Sequence, residues 1–390
     1  MKTLYLHIGT TKTATSSIQH FLYNNREVLA QHGYCFPPLL RPYPYLSSTR
    51  NAHFMIGNQY KEDGSRDRAL EKEILLEGMR QVIDCFKQYD NVVLTDEALW
   101  RVSSRSHKGI FPYIMRVAKR RKFTVKVIVY LRRQDGYILS GWNQLVKQST
   151  TALTSTFDER MEKMLETEEY VIDYAWKLDS MAAIFGKENL IVRRFEPKYW
   201  RNGSIIDDFM DCIGLEVTDD FIPLERTVNP GLMGNTMEIK RIINKDTTFT
   251  TDENLFFAHI LKDLSSESGK RYPSSMLSAE ESKELMKRFE EGNAKVAEEY
   301  FHDGNPLFSD QFKDVPKWEP DNPYMMEDVI RFFSATTIEL RRENEKLRSE
   351  LKDLRAVVAE DKKDLRTFKY KIKHPFRALW NRLFHRNSTP

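Results

Sequence analysis

Residues 123–142 read FTVKVIVYLRRQDGYILSGW. The first nine, FTVKVIVYL, are dense in β-branched side chains and have the length of one buried strand. Arg132 and Arg133 end the apolar run. Ile138, Leu139, Trp142 and Leu145 then fall at helical spacing. A buried strand that passes directly into an amphipathic helix is the repeating unit of a parallel sheet.

The unit recurs along the chain. Residues 2–8 form a β-rich run, stop at Gly9, and lead from about Thr15 into a helix carrying Ile18, Phe21, Leu22 and Leu29. Gly33 and then Pro37-Pro38 close that unit. The pattern predicts a helix over 67–89, a strand NVVLTDE at 91–97 and a helix over 111–122. A helix around 168–185, the strand LIVRRF at 190–195 and a helix over 203–213 complete the alternation. The fold expected is α/β: a P-loop-type parallel sheet flanked by helices, followed by a C-terminal coiled coil and a short amphipathic helix. Residues 38–68, rich in Pro, Arg, Ser and Asn, read as an irregular excursion, and residues 235–302 as mostly helical.

The chain has 390 residues, 41% hydrophobic and 30% charged, which suits a sizeable core and not a membrane-embedded protein. Lys+Arg 60 against Asp+Glu 57 leaves +3, so a nucleic-acid partner is not expected. Six of the basic residues, Lys369, Lys371, Lys373, Arg377, Arg382 and Arg386, crowd the last stretch without a carboxylate. Cys35, Cys85 and Cys212 are scattered and odd in number, with neither metal-ligand spacing nor a complete disulfide framework. A reducing compartment follows. No run reaches the ~18 apolar residues of a transmembrane helix. The expected location is cytoplasmic, extending to the inner face of the membrane.

The C-terminal region changes regime near Met326. Leu340, Leu347, Leu351, Leu354 and Val358 follow 3/4 spacing, with Asn344 at an interior position. This predicts a coiled coil over 326–366 and a homodimer, after a domain at 1–325. In the tail at 367–390, Pro375 precedes Phe376, Leu379, Trp380, Leu383 and Phe384 on one helical face. A basic amphipathic helix of this kind at 375–386 predicts peripheral membrane contact.

Two elements carry chemistry. Gly9, Thr10, Thr11, Lys12, Thr13, Ala14, Thr15 and Ser16 lie between a strand and a helix. Backbone N–H groups and the positive end of the helix dipole then meet at one spot, which suits a phosphate-like anion. Lys12 adds a mobile charge, and Thr13, Thr15 and Ser16 add hydroxyls. The turn departs from the Walker pattern G-x-x-x-x-G-K-[ST], because Lys12 comes three residues after Gly9 and the second glycine is missing. The other element is Arg132, at the end of the 123–131 strand, with Ser140 two helical turns later. Both can reach an anion above the sheet edge, where α/β proteins bind ligands.

HIGTTKTATSSIQ at 7–19 resembles the 5′-phosphosulfate loop of sulfotransferases that use 3′-phosphoadenylyl sulfate (PAPS), and is particularly similar to bacterial sulfotransferases of cell-surface glycans. Arg132…Ser140 is similar to that family's 3′-phosphate motif in residue type, spacing and strand–helix context. VVLTDEALW at 92–100, LIVRRFEP with DDFMDCIGL, and NAKVAEEYF at 293–301 resemble its later elements. The resemblance covers about residues 1–310. Ala14 stands where many members have glycine, which predicts a slightly less permissive loop.

The resemblance implies transfer of a sulfuryl group from PAPS to a carbohydrate hydroxyl, with no metal required. Residues 9–16 would hold the 5′-phosphosulfate, and Arg132 with Ser140 the 3′-phosphate. Lys12 would neutralise charge on the bridging oxygen. The acceptor must lose a proton, so a general base is expected. Glu97, at the end of the 91–97 strand, is the first candidate, and His53 in Asn51-Ala52-His53 the alternative. Asp96 should face the other way and be structural, and His7 should be a packed core histidine. Tyr43, Tyr45, Arg50 and His53 mark the excursion as the acceptor region, and Arg226, Asn229 and Gly231 a loop over the nucleotide. Two other readings stay open: a P-loop nucleoside or sugar kinase, and a membrane-associated coiled-coil scaffold with a vestigial domain.

Overall fold

The computed structural model describes residues 1–373 apart from 42–46, 48, 58, 103–108, 149–151, 225–230, 274, 313 and 315. Tyr43, Tyr45, Arg226, Asn229 and the 375–386 stretch lie outside the described residues. Five strands form one sheet: β1 Thr3–His7, β2 Tyr34–Cys35, β3 Asn91–Thr95, β4 Thr124–Leu131 and β5 Leu190–Arg194. Their spatial order is β2-β3-β1-β4-β5, and every pairing is parallel.

The sheet is the middle of three layers. Alternation along β1 sends Leu4 and Leu6 to one face and Tyr5 to the other; β4 does the same with Val125, Val127 and Val129 against Ile128 and Tyr130. The first face is covered by α3 (Arg68–Cys85), α4 (Ile110–Arg121) and α7 (Tyr174–Phe185) through Met79, Val82, Ile114, Leu178 and Met181. The second is covered by α1 (Thr15–Asn24), α2 (Arg26–Gln31) and α8 (Ile205–Cys212) through Ile18, Leu22, Leu29 and Phe209. Burial on both faces explains the near-continuous apolar run of β4. The other helices are α5 (Gln134–Lys147), α6 (Phe157–Thr167), α9 (Asn235–Ile243), α10 (Thr251–Arg271), α11 (Ala279–Lys287), α12 (Glu290–Tyr300) and α13 (Met325–Lys373).

Several local readings change. The 91–97 strand stops at Thr95, because the Asp96 side chain accepts from the Ala98 amide at 2.8 Å and opens a 3-10 turn over Glu97–Arg101. Glu97 therefore rides on a turn and not on a strand end. The edge strand β2 has two residues, too few for any periodicity to announce it. Helix α6 carried a legible start, the capping box of Thr156 and Glu159, that the apolar pattern alone does not reveal. Cys35 and Cys85, scattered in sequence, meet where β2 passes the last residue of α3: their free thiols lie 2.7 Å apart.

Helix α13 starts inside the body rather than beyond it. Asp328 is buried and accepts from Asn235 at 2.9 Å and Ser268 at 2.8 Å, with Arg271 as its ion-pair partner. Phe332 is buried against Phe257. The helix then continues unbroken through 366 to Lys373. No described helix is long and apolar enough to cross a membrane.

Candidate active site

In the order β2-β3-β1-β4-β5, the chain leaves β1 toward β2 and leaves β4 toward β5. The neighbours β1 and β4 thus send their C-terminal loops apart and open a crevice between them, the usual ligand position in such sheets. The turn at 9–14 and Arg132 stand on its two sides.

Backbone constraints shape the turn. Gly9 has φ +105°, and a Cβ there would sit 3.2 Å from the Glu97 Cβ and 3.3 Å from its Cα, so glycine is required by conformation and by space. The Gly9 carbonyl accepts from the Tyr130 amide at 2.7 Å, and the Thr10 amide donates to the Tyr130 carbonyl at 3.0 Å. The Thr13 hydroxyl donates to the Thr10 carbonyl at 2.6 Å. Lys12 and Ala14 both take left-handed φ, 65° and 57°. Ala14 is the N-cap of α1 and supplies no side-chain cap, so the N-cap side chain leaves the first-turn amides uncapped. The buried Thr10 hydroxyl has no hydrogen-bond partner among the described residues.

Two cations share the crevice. Arg132 Nη1 donates to the Lys12 carbonyl at 3.0 Å. Lys12 Nζ donates to Gln144 Oε1 at 3.3 Å. Neither has an ion-pair partner among the described residues. The Lys12 ammonium reaches solvent on one side, yet the surrounding protein strips water from it and Arg132 repels it. Its pKa falls below the ordinary lysine value although Glu97 opposes the shift. Burial likewise lowers the Arg132 pKa. An anion bound between them would restore both. A Cβ at Gly136 would lie 3.1 Å from Arg132 Nε, so the guanidinium overlies that residue. Ser140, four residues on, shares the same helical face and donates to the Tyr137 carbonyl at 3.2 Å.

A carboxylate cluster faces them. Asp96 is fully buried; it accepts from Arg50 at 2.5 Å and 3.2 Å and from His53 Nδ1 at 3.0 Å. Burial alone would raise its pKa, but the His53 bond and the Arg50 charge outweigh it and hold the carboxyl below its ordinary value. Glu97 Oε2 accepts from Gln19 at 3.2 Å, and its other oxygen lies 3.4 Å from Arg50. Arg50, expected as a polar fork for a sugar, instead binds two carboxylates, because the excursion is pinned to β3. Asn51 does the pinning: its Nδ2 donates to the Pro37 and Val93 carbonyls, and its Oδ1 accepts from the Thr95 amide at 2.8 Å. Glu97 and His53, separate in sequence, thus enter one network.

His7 is fully buried, with its ring edge-on to Phe209, and its Nδ1 is 2.9 Å from Thr95 Oγ1. Desolvation pushes its pKa down to about 3, so it is neutral at ordinary pH.

Gln19, Asn51, Gln144 and Tyr137 have no role in the motif reading. Gln19 alone left a signal, a polar residue on the core-facing stripe of α1 between Ile18 and Leu22. A cleft of about 790 Å³ opens beside Lys12, bordered by Thr11, Arg101, Tyr137, Gln144 and Glu168. Glu168 binds Arg160 at 2.9 Å and Arg101 at 2.5 Å, which hold its carboxyl down to about 2. Among the described residues the cavity beside Lys12 is walled by α5 and α6 and not by the excursion. Among the described residues no group of three His, Cys, Asp or Glu side chains is placed to hold a metal ion.

No family model matches the chain. An uncharacterized protein of Archaeoglobus fulgidus is 28% identical over 192 residues, 48% of this chain and 50% of that protein. The chain thus spans about half the length of the curated relative it matches. Among solved structures, a sulfotransferase from Alicyclobacillus acidocaldarius is similar at 17% identity and TM-score 0.34, over 57% of this chain and 86% of that one. The sulfotransferase domain from the curacin biosynthetic pathway is similar at 14% identity and TM-score 0.33, over 74% of this chain and 97% of that one.

Proposed function

We propose that the chain transfers a sulfuryl group from PAPS to a hydroxyl of a carbohydrate acceptor. The observation that carries the reading is the pairing of two cations, Lys12 and Arg132, that have no ion-pair partner among the described residues and are clasped across the switch-point crevice. PAPS brings an activated sulfate and two separate phosphates. The uncapped amides at the start of α1 and the hydroxyls of residues 9–16 suit the 5′ end of such a ligand. Arg132 and Ser140, on one face of the β4–α5 junction, suit its 3′-phosphate.

In this reading Lys12 neutralises the negative charge that builds on the bridging oxygen as its bond to sulfur breaks. The acceptor oxygen bonds to sulfur, and its proton passes to Glu97 or His53. Asp96 favours the His53 tautomer with the proton on Nδ1, which leaves Nε2 as the basic nitrogen. Arg50 and Gln19 orient Glu97. Both candidates belong to one network, His53 through Asp96 and Glu97 through Arg50.

Calorimetry in magnesium-free buffer tests the donor. Adenosine 3′,5′-bisphosphate should bind at least ~100-fold more tightly than ATP, a gap of about 2.7 kcal/mol. Preference for ATP would favour the nucleoside or sugar kinase. Incubation of candidate glycans with PAPS, read by mass spectrometry as gain of one sulfate, tests the acceptor. Failure to bind either nucleotide favours the vestigial-domain scaffold.

A further inference from the structure

Helix α13 leaves the body after Ala335, the last of its residues packed against the core. Every described side-chain position from 337 to 370 is exposed, over about 50 Å at 1.5 Å per residue. Yet one stripe is apolar: Leu340, Leu347, Leu351, Leu354, Val358, Leu365 and Phe368, with Leu347 55% and Leu354 61% exposed. A solvated single helix has no physical reason to keep such a stripe in register.

The spacing is a heptad repeat without a skip. With Ile330 at the first core position (a), the a series is Ile330, Thr337, Asn344, Leu351, Val358, Leu365 and Ile372. The second core series (d) is Phe333, Leu340, Leu347, Leu354, Asp361 and Phe368. Between the polar positions Thr337 and Asp361 the core series is apolar over 340–358 apart from Asn344. A strict seven-residue repeat is the signature of two helices supercoiled about each other.

Flanking charges choose the partner and its direction. The positions before a (g) over 343–364 carry Glu343, Glu350, Val357 and Asp364, three of the four acidic, and those after d (e) carry Arg341, Arg348, Arg355, Lys362 and Lys369. In a parallel, in-register pair each g residue meets the e′ residue five positions later on the other chain. That makes Glu343 with Arg348, Glu350 with Arg355 and Asp364 with Lys369, all attractive. In an antiparallel pair g meets g′ and e meets e′, setting acid against acid and base against base. Asn344 in the core favours two strands in one register.

We propose that the partner of this face is a second copy of the same chain, joined through α13 as a parallel, in-register two-stranded coiled coil centred on the apolar stretch at 340–358. Because Asp328 and Phe332 anchor the first turns of α13 in the body, the two bodies sit at the same end of the coil. Each particle therefore presents two crevices. The inference does not rest on the chemistry of the crevice and stands if that reading fails.

Light scattering and sedimentation equilibrium of the full chain at about ten micromolar should give twice the chain mass. The double variant Leu347→Glu/Leu351→Glu should be monomeric with an unchanged melting temperature of the body, since neither residue touches it. Orientation is read with two single variants, Leu340→Cys and Leu354→Cys, under mild oxidation with wild type as the control. Both should cross-link to themselves, which no antiparallel register permits. A monomeric full chain, a dimer that survives Leu347→Glu/Leu351→Glu, or failure of either cysteine variant to self-link overturns the proposal.

Discussion

Arg132 Nη1 donates to the main-chain carbonyl of Lys12 across 3.0 Å, joining residues 120 positions apart. The arginine at the end of β4 therefore holds the shape of the turn after β1 while it presents its charge to the same crevice. The two roles separate on mutation. Arg132→Ala should weaken adenosine 3′,5′-bisphosphate by at least ~10-fold, as expected from losing a charged bond of about 1.5–3 kcal/mol. Adenosine 5′-phosphosulfate, without a 3′-phosphate, should lose less, because only the clasp is removed. Equal losses, measured by calorimetry, would mean that Arg132 acts through the turn alone.

The proton acceptor is assigned by a pair of variants. Lys12→Ala should reduce turnover by at least ~100-fold, the scale of a lost charge stabiliser. Of Glu97→Gln and His53→Ala, the variant lacking the base should fall on a similar scale, ~100-fold or more, with nucleotide affinity nearly kept. If both variants retain wild-type turnover, neither residue is the base.

Ala14 holds a left-handed conformation at the start of α1, with φ 57° and ψ 21°. An L side chain there costs about 1–2 kcal/mol. Glycine removes that cost and adds about 0.4–1 kcal/mol of unfolded-chain entropy. Ala14→Gly should therefore raise the melting temperature slightly; a decrease would show that the Ala14 methyl contributes packing that outweighs the strain.

Acid should destabilise the fold through His7. Its folded pKa is lowered to about 3 from 6.5, so between those values the unfolded chain binds a proton that the folded chain refuses. Stability is complete above pH 6.5 and declines as pH falls toward 3, by up to about 1.4 kcal/mol per pH unit. Chemical denaturation of wild type at pH 7 and pH 5 should show this loss. His7→Asn, whatever its absolute stability, should show a smaller difference between the two pH values. An unchanged difference would put the acid sensitivity elsewhere.

Cys35 and Cys85, with thiols 2.7 Å apart, should close into a disulfide on treatment with oxidised glutathione. Two thiols give up two protons and two electrons, and the reagent is reduced to two molecules of glutathione. A formed disulfide needs its sulfurs at about 2.05 Å, a small approach from here. The bridge would close the segment that carries Arg50, Asn51 and His53, and should raise the unfolding free energy by up to about 4 kcal/mol. A two-thiol drop in titratable cysteine, absent in Cys35→Ser, checks it; three free thiols after oxidation would refute it.

Much was legible without coordinates. Local pattern alone marks β1, β3, β4 and β5, the turn after Gly9, and Arg132 at the exit of a strand. Those features depend on side-chain periodicity and on punctuating glycines, which neighbouring residues encode. Glu97 was legible as a residue near the sheet edge, but not as part of a turn. The change from strand to 3-10 turn depends on one Asp96 side-chain bond to the Ala98 amide.

Only the tertiary structure set β4 beside β1, and with it Arg132 against Lys12. It alone turned Arg50 inward onto Asp96 and Glu97, brought Cys35 to Cys85, and opened the cleft between α5 and α6. Each depends on strand order or on contacts across tens of residues. Such contacts form when the chain minimises exposed apolar surface and satisfies buried polar groups together, and no short window of sequence contains both partners.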